Sequence, residues 1–417
     1  CARPKKALGI VMRGLLRKIK RRNKGLVEQA RPEYLNIMLR GGRMTKVAGV
    51  AASFAPTLGT VGATLSLGAS SIALGTALSV AGAFAGNCGA LGGGAYVCIG
   101  PANPAADVTQ TFNYAGPVNV ATADGFGLDT SVSGGNAFNF GSAATTSINF
   151  DELYGADITG ANDGLYAYGQ GASTFVTLNT TGTITGVNGD GISVINTGSG
   201  DITVVNQNAS GTASVTGYFN GIDVYADGST ANLLITANNV TGLNDNGIAA
   251  TTFGTGDLTI TSTNAAGTAQ VTGYVDGIRA RHYGDGAVSI TANNVSATNS
   301  RGIYAYGDGS TTTMSITADG TVESTNDTGI YARHYGSGDM TITTTNAAGN
   351  AQVTAESYGI RARNGGDGAL SIAVNNVNAT NNSGIYAYGS NSSTTLSITA
   401  DGTVESANYT GINASHR

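Results

Sequence analysis

Beyond Lys46 the chain contains no lysine at all, and charged side chains make up only 11% of its 417 residues. A charge-based active site of the Asp/Lys/Arg kind, which a polysaccharide lyase needs around one groove, therefore lacks its lysine. No segment after about residue 86 carries a convincing 3.6-residue apolar period, which excludes amphipathic helices from that part of the chain. There is no GxSxG elbow. Residues 137–417 hold only four glutamates (Glu152, Glu323, Glu356 and Glu405), and the whole chain holds only three histidines (His282, His334 and His416). Catalysis needs groups that converge within a few ångströms. So sparse a supply points toward function by surface.

What the sequence has in abundance is repetition. A Gly-Ile or Gly-Leu pair starts a unit at Gly164, Gly191, Gly221, Gly247, Gly277, Gly302, Gly329, Gly359, Gly384 and Gly411, at intervals of 25 to 30 residues. A period of this size marks a solenoid, whose units bury their apolar faces by stacking on one another. The unit GIYAYGDGSTTTMSITADGTVESTNDT from Gly302 returns nearly unchanged from Gly384. The intervening 82 residues thus form a higher-order repeat of three unit types.

Within a unit, apolar residues alternate with period two, as in strands. Ile303 and Ala305 form one run, Met314 and Ile316 a second, and Val322 centres a third. Gly, Asp, Asn and Ser clusters separate the runs, as turns require. Three short strands per coil predict an all-β fold, a parallel β-helix over residues 136–417, with a fainter first coil near Ala137. Asn238 and Asn239, Asn293 and Asn294, and Asn375 and Asn376 recur beside the third run. They either ladder between coils or simply tolerate a turn. A rod of ten coils and part of another would be on the order of 50 Å long.

Charge divides the chain. Residues 1–46 hold 14 of the 21 Lys and Arg and two acidic residues, while the remainder holds seven basic and 24 acidic ones. Residues 1–43 read as a basic extension, with Met12 and Met44 as alternative starts. Residues 44–85 read as an apolar export signal, ending at Ala83-Phe84-Ala85, an A-x-A site that would start the mature chain at Gly86. A membrane helix or a Gly-rich hairpin is the other reading of Val47–Ala85. Residues 86–135 read as an N-terminal clasp, with Cys88 and Cys98 either closing a disulfide loop or buried as thiols. The coil that begins at Gly411 stops at Arg417, which suggests a fragment.

An export signal, a clasp, then Thr/Asn/Gly-rich coils of the GIYAYG…TMSITADGTV type: this order resembles the passenger region of bacterial autotransporters, the type V secretion proteins. The resemblance covers about residues 86–417 and is one of pattern and composition. It implies a right-handed parallel β-helix, displayed on a Gram-negative cell surface by a C-terminal transmembrane β-barrel translocator. It also implies an adhesin or aggregation protein, whose partners would be host or matrix macromolecules, glycans or passengers on sister cells. Nucleic acid is not expected as a partner. A secreted, carbohydrate-active β-helix enzyme of the polysaccharide-lyase kind is the alternative.

Two positions after each Gly, and again four after it, side chains point away from the core. They read Tyr166 and Tyr168, Arg279 and Arg281, Tyr304 and Tyr306, Tyr331 and Arg333, Arg361 and Arg363, Tyr386 and Tyr388. Stacked, they predict a continuous Tyr/Arg stripe, of residue types enriched at binding hot spots. The same ladders could serve only to stabilise the sheet, at about 0.2–1 kcal/mol per pair. No catalytic group, cofactor or metal is expected. The histidines read as solvated turn residues, too far apart for one metal, and the GSGD and GTGD turns at Asp201, Asp257 and Asp339 as turn chemistry.

Overall fold

The computed structural model describes residues 86–417, apart from 142–144, 172–173, 229–230, 310–312 and 392–394, together with two short strands upstream. Those strands, Thr64–Leu67 and Ser70–Ala73, pair antiparallel within a separate unit spanning Cys1–Ser79. They fall inside the apolar stretch and fit the hairpin reading of that segment. The basic extension and the proposed cleavage site lie outside the described residues.

From Asn87 onward every regular element among the described residues is a strand. Three sheets run the length of the rod. The first has 12 strands, from Gln110–Phe112 to Ile412–His416. The second has 13, from Asn87–Gly92 to Leu396–Ala400, and the third 11, from Leu128–Asp129 to Val404–Ser406. Neighbouring strands of a sheet come from successive coils and pair parallel, so the chain is a β-solenoid of about 11 turns with three strands per turn. At the usual strand spacing this gives a rod about 50 Å long.

Register follows the sequence repeat without slippage. Ile278 pairs with Ile303, then Ile330, Ile360, Ile385 and Ile412. Residues of like parity thus share one face, and the isoleucines from Ile192 to Ile385 form a fully buried column. Each such side chain contributes about 1.5–3 kcal/mol relative to exposure. The invariant-looking Gly at the head of each unit is required by packing. A Cβ on Gly302 would lie 2.7 Å from Val322 Cγ1 and 2.7 Å from the carbonyl oxygen of Gly329 in the next coil. Extra residues of the 30-residue units are absorbed at one corner. There Asn208, Asn264 and Asn346 close loops by accepting the backbone N–H of Thr212, Thr268 and Asn350.

The stacked coils begin earlier than Ala137. Gln110–Phe112, Pro117–Thr122 and Leu128–Asp129 already make a complete turn, so the coils extend into the segment read from sequence as clasp. This coil lacks the Gly-Ile start: Gln110 heads the isoleucine column, and Phe112 and Phe126 join Val118, Val120 and Leu128 in its core, against the rings of the next coil. Phe112 stacks on Phe140 at 5.4 Å, and Phe138 packs on Phe150 at 5.0 Å. The clasp proper is the antiparallel hairpin Asn87–Gly92 and Ala95–Ile99, joined by the Cys88–Cys98 disulfide. It lies across the starting edge of the second sheet and covers the first parallel strand of that sheet, Pro117–Thr122.

Candidate functional site

The outer surface of the first sheet carries the predicted tyrosines and arginines, and the register places them in two columns. Second positions stack as Arg279, Tyr304, Tyr331, Arg361 and Tyr386, and fourth positions as Arg281, Tyr306, Arg333, Arg363 and Tyr388. This block is unbroken over five coils. Tyr166 and Tyr168 stand apart from it, because the three coils between carry Ser193 and Ile195, Asp223 and Tyr225, and Ala249 and Thr251. The continuous stripe expected from sequence is therefore one five-coil patch and an isolated pair.

Within the patch the side chains interleave. Arg281 lies 5.3 Å from the centroid of Tyr304, and Arg361 lies 5.1 Å from Tyr331 and 5.9 Å from Tyr386. Arg363 lies 5.6 Å from Tyr388. Tyr304 and Tyr331 stack at 5.6 Å. These distances are those of cation–π attraction. Tyr304 is the most enclosed, at 8% exposure, while the other predicted residues are half-buried.

Sequence reasoning missed the flanks. Arg301 covers Tyr304 at 4.0 Å and forms a two-point ion pair with the fully buried Asp276, Nε to Oδ1 at 2.9 Å and Nη2 to Oδ2 at 3.1 Å. Tyr358 packs on Tyr386. On the other flank Phe253, Tyr283 and Tyr335 contact Tyr306 directly or in series. These last three lie six residues after their Gly, so carrying the outward parity two positions further would have found them. Arg301 and Tyr358 directly precede a Gly, where the period-two rule no longer applies.

Electrostatics in the patch reflect crowding. Burial, then the neighbouring charges of Arg281 and Arg301, weaken the hold of Arg279 on its proton. Burial also works against the charge on Arg333, but the phenol oxygens of Tyr331, Tyr335 and Tyr304 outweigh it and hold that guanidinium more firmly protonated. It donates a hydrogen bond to the Tyr335 hydroxyl. Burial and a hydrogen bond with Asp308 push the Tyr306 phenol up.

The remaining polar residues build the coil. An unbroken ladder of acceptors climbs the corner before the first sheet. Backbone N–H groups of Asp163, Asp190, Asn220, Asn246, Asp276 and Arg301 donate in turn to the side-chain oxygens of Asn136, Asp163, Asp190, Asn220, Asn246 and Asp276. Asn238, Asn293 and Asn375 do bridge coils, accepting the backbone N–H of Asn208, Asn264 and Asn346. Asn293 also donates to the Asp319 carboxylate, and the bridging groups are backbone N–H groups, so these three act as caps.

Two of the three histidines are not solvated. His282 and His334 are fully buried, while His416 is exposed. The fifth position after each Gly has inward parity, which five-residue counting from the turn obscured. His282 Nδ1 accepts the Gly284 N–H at 3.0 Å, and Nε2 meets the Gly256 carbonyl at 2.7 Å. Those partners assign a neutral ring protonated on Nε2. Asn196 and Asn364 fill the same column and take the same turn N–H two residues on. Asp201, Asp257 and Asp339 accept backbone N–H groups of the following coil, as turn residues. Glu323 and Glu405 are separated by Thr354 and Asn378 in one column. Buried Glu152 accepts four backbone N–H groups, from Tyr154, Ala156, Thr181 and Gly182.

Among the described residues no cluster of three His, Cys, Asp or Glu could hold a metal ion, and no helix is long and apolar enough to cross a membrane. No protein-family model, curated protein or solved structure matches the chain.

Proposed function

We propose that this chain is a binding passenger: a rigid solenoid displayed at, or released from, a Gram-negative cell surface, which attaches to other molecules through its first sheet. The single observation that carries this reading is the five-coil Tyr/Arg patch. It joins aromatic and guanidinium groups, the types that dominate binding energy, on a flat, in-register surface. Rigid strands suit this role, because little conformational entropy is lost when a partner docks. Function of this kind is non-enzymatic and needs no cofactor. The partners proposed are host or matrix macromolecules, glycans or copies on sister cells, and export would use an outer-membrane β-barrel translocator.

The test is display of the full chain on bacteria, followed by counting of attached and aggregated cells. Replacing Arg281, Arg333 and Arg363 together by Ala is expected to abolish most attachment while leaving the β-sheet circular dichroism intact. Unchanged attachment would reduce the patch to a packing device and sink the reading. Detection of a mature N-terminus at Gly86 would support the export signal.

A further inference from the structure

Six of the seven arginines beyond Lys46 lie in or directly beside the patch: Arg279, Arg281, Arg301, Arg333, Arg361 and Arg363. The same stretch of chain carries 24 acidic residues. Nearly all the positive charge of an acidic rod is thus concentrated on five coils of one sheet. Among the described residues Arg301 forms a close ion pair there, with Asp276, and Arg279 feels the charges of Asp276 and Asp245. Nε of Arg281, Arg333, Arg361 and Arg363 is buried without a hydrogen bond, which leaves the terminal nitrogens as the donors these groups can offer outward. The tyrosine rings pack against the guanidiniums, and among the described residues the Tyr335 hydroxyl accepts a hydrogen bond from Arg333.

Resting on the binding reading above, we infer that the patch takes an extended anionic polysaccharide, lying along the rod axis, with its carboxylate or sulfate groups on the arginines. Spacing carries the argument. Arginines on one strand, such as Arg361 and Arg363, are about 7 Å apart, and those on adjacent coils, such as Arg333 and Arg363, about 5 Å. The array is then about 20 Å long and two columns wide, with Tyr304, Tyr306 and Tyr331 between the charges and Tyr386 and Tyr388 beyond them at one end. A sugar chain carries anionic substituents and apolar C–H faces along its length, and this surface offers guanidinium and ring groups interspersed over the same span. A nucleic acid fits less well. Its charge of about one per 1.7 Å of duplex axis would outnumber the arginines on a chain that is acidic overall beyond Lys46.

The experiment titrates the purified full chain by calorimetry with four polymers: dextran sulfate, alginate, neutral dextran and single-stranded DNA. Binding to dextran sulfate, alginate or both, lost in 1 M NaCl and absent for neutral dextran, is expected, and the two arms tell sulfate from carboxylate as the preferred group. Joint replacement of Arg281, Arg333 and Arg363 by Gln should weaken that binding at least about tenfold. The matched Lys replacements should keep part of it, a contrast that misfolding would not produce. Equal binding by the Gln variant, equal or tighter binding of DNA, or no binding of either polyanion each overturns the inference. In the last case, attachment of displaying cells that still depends on the three arginines would leave the passenger reading standing with a different ligand. Loss of dependence in both assays would remove both.

Discussion

Asp276 shows how much one side chain can hold in a solenoid. Its Oδ1 accepts both the backbone N–H and the Nε of Arg301, while its own N–H continues the ladder to Asn246. Removing it strands a cation and an N–H at one corner. Asp276→Ala is expected to cost about 2–3 kcal/mol, below the range for a wholly buried pair because Arg301 is 20% exposed. Asp276→Asn keeps the acceptor and should cost less, so urea midpoints in the order wild type, Asn, Ala check the ladder. Asp227 tests the opposite sign. Partial desolvation raises the carboxyl of Asp227, whose residue is largely exposed, above the ordinary 3.8, so the folded chain binds this proton somewhat more tightly than the unfolded one. That contribution is present below 3.8 and is lost as pH rises through the raised value. Asp227→Asn should therefore be at least as stable as wild type at pH 7. Its advantage should shrink by pH 4, read as the difference between paired urea titrations.

At the scale of the element, the coil is defined by what must stay small at its first corner. Gly302→Ala would drive a Cβ against a backbone carbonyl of the next coil, which cannot rotate away as the Val322 methyl can. A loss of about 1–3 kcal/mol is expected. Gly267 provides the contrast: a Cβ there meets nothing, and only its φ of +68° is strained. Gly267→Ala should cost about 1 kcal/mol, so reversal of this order in paired unfolding curves would contradict the packing account. The core column offers a larger effect. Ile330→Ala opens a cavity between fully buried Ile303 and Ile360 and should cost about 2–5 kcal/mol.

The whole rod is a one-dimensional object, and perturbations should stay local. Each strand pairs only with the coil before and the coil after it, so stability is close to a sum of neighbour terms. Breaking the Cys88–Cys98 link by double Ser replacement is expected to lower local stability by about 2–3 kcal/mol for so short a loop. Hydrogen exchange should quicken in Ala95–Ile99 and Pro117–Thr122 while coils beyond Gly302 keep their protection. Uniform acceleration along the rod would instead mean one cooperative core.

The fold was legible because its signals are local and repeated. A Gly-Ile start, period-two alternation and turn residues at a fixed interval permit one stacking register, since a slip by one residue would turn Ile303, Ile330 and Ile360 out to water. The same parity placed Arg279 to Tyr388 on the outer face of the first sheet. Three things were settled only by the tertiary structure. The coil at Gln110–Asp129 lacked the repeat signature, because Gln110 stands where later coils carry Leu or Ile and Phe112 and Phe126 share the core with Val118, Val120 and Leu128. His282 and His334 were taken for solvated turn residues, but the strand runs on to the fifth position, which keeps the inward parity, and a ring there can accept a turn N–H as Asn does. And the tyrosine stripe narrowed to five coils with Arg301 and Asp276 at its edge, since which charges pair depends on distances across coils, 25 residues apart in the chain for that pair.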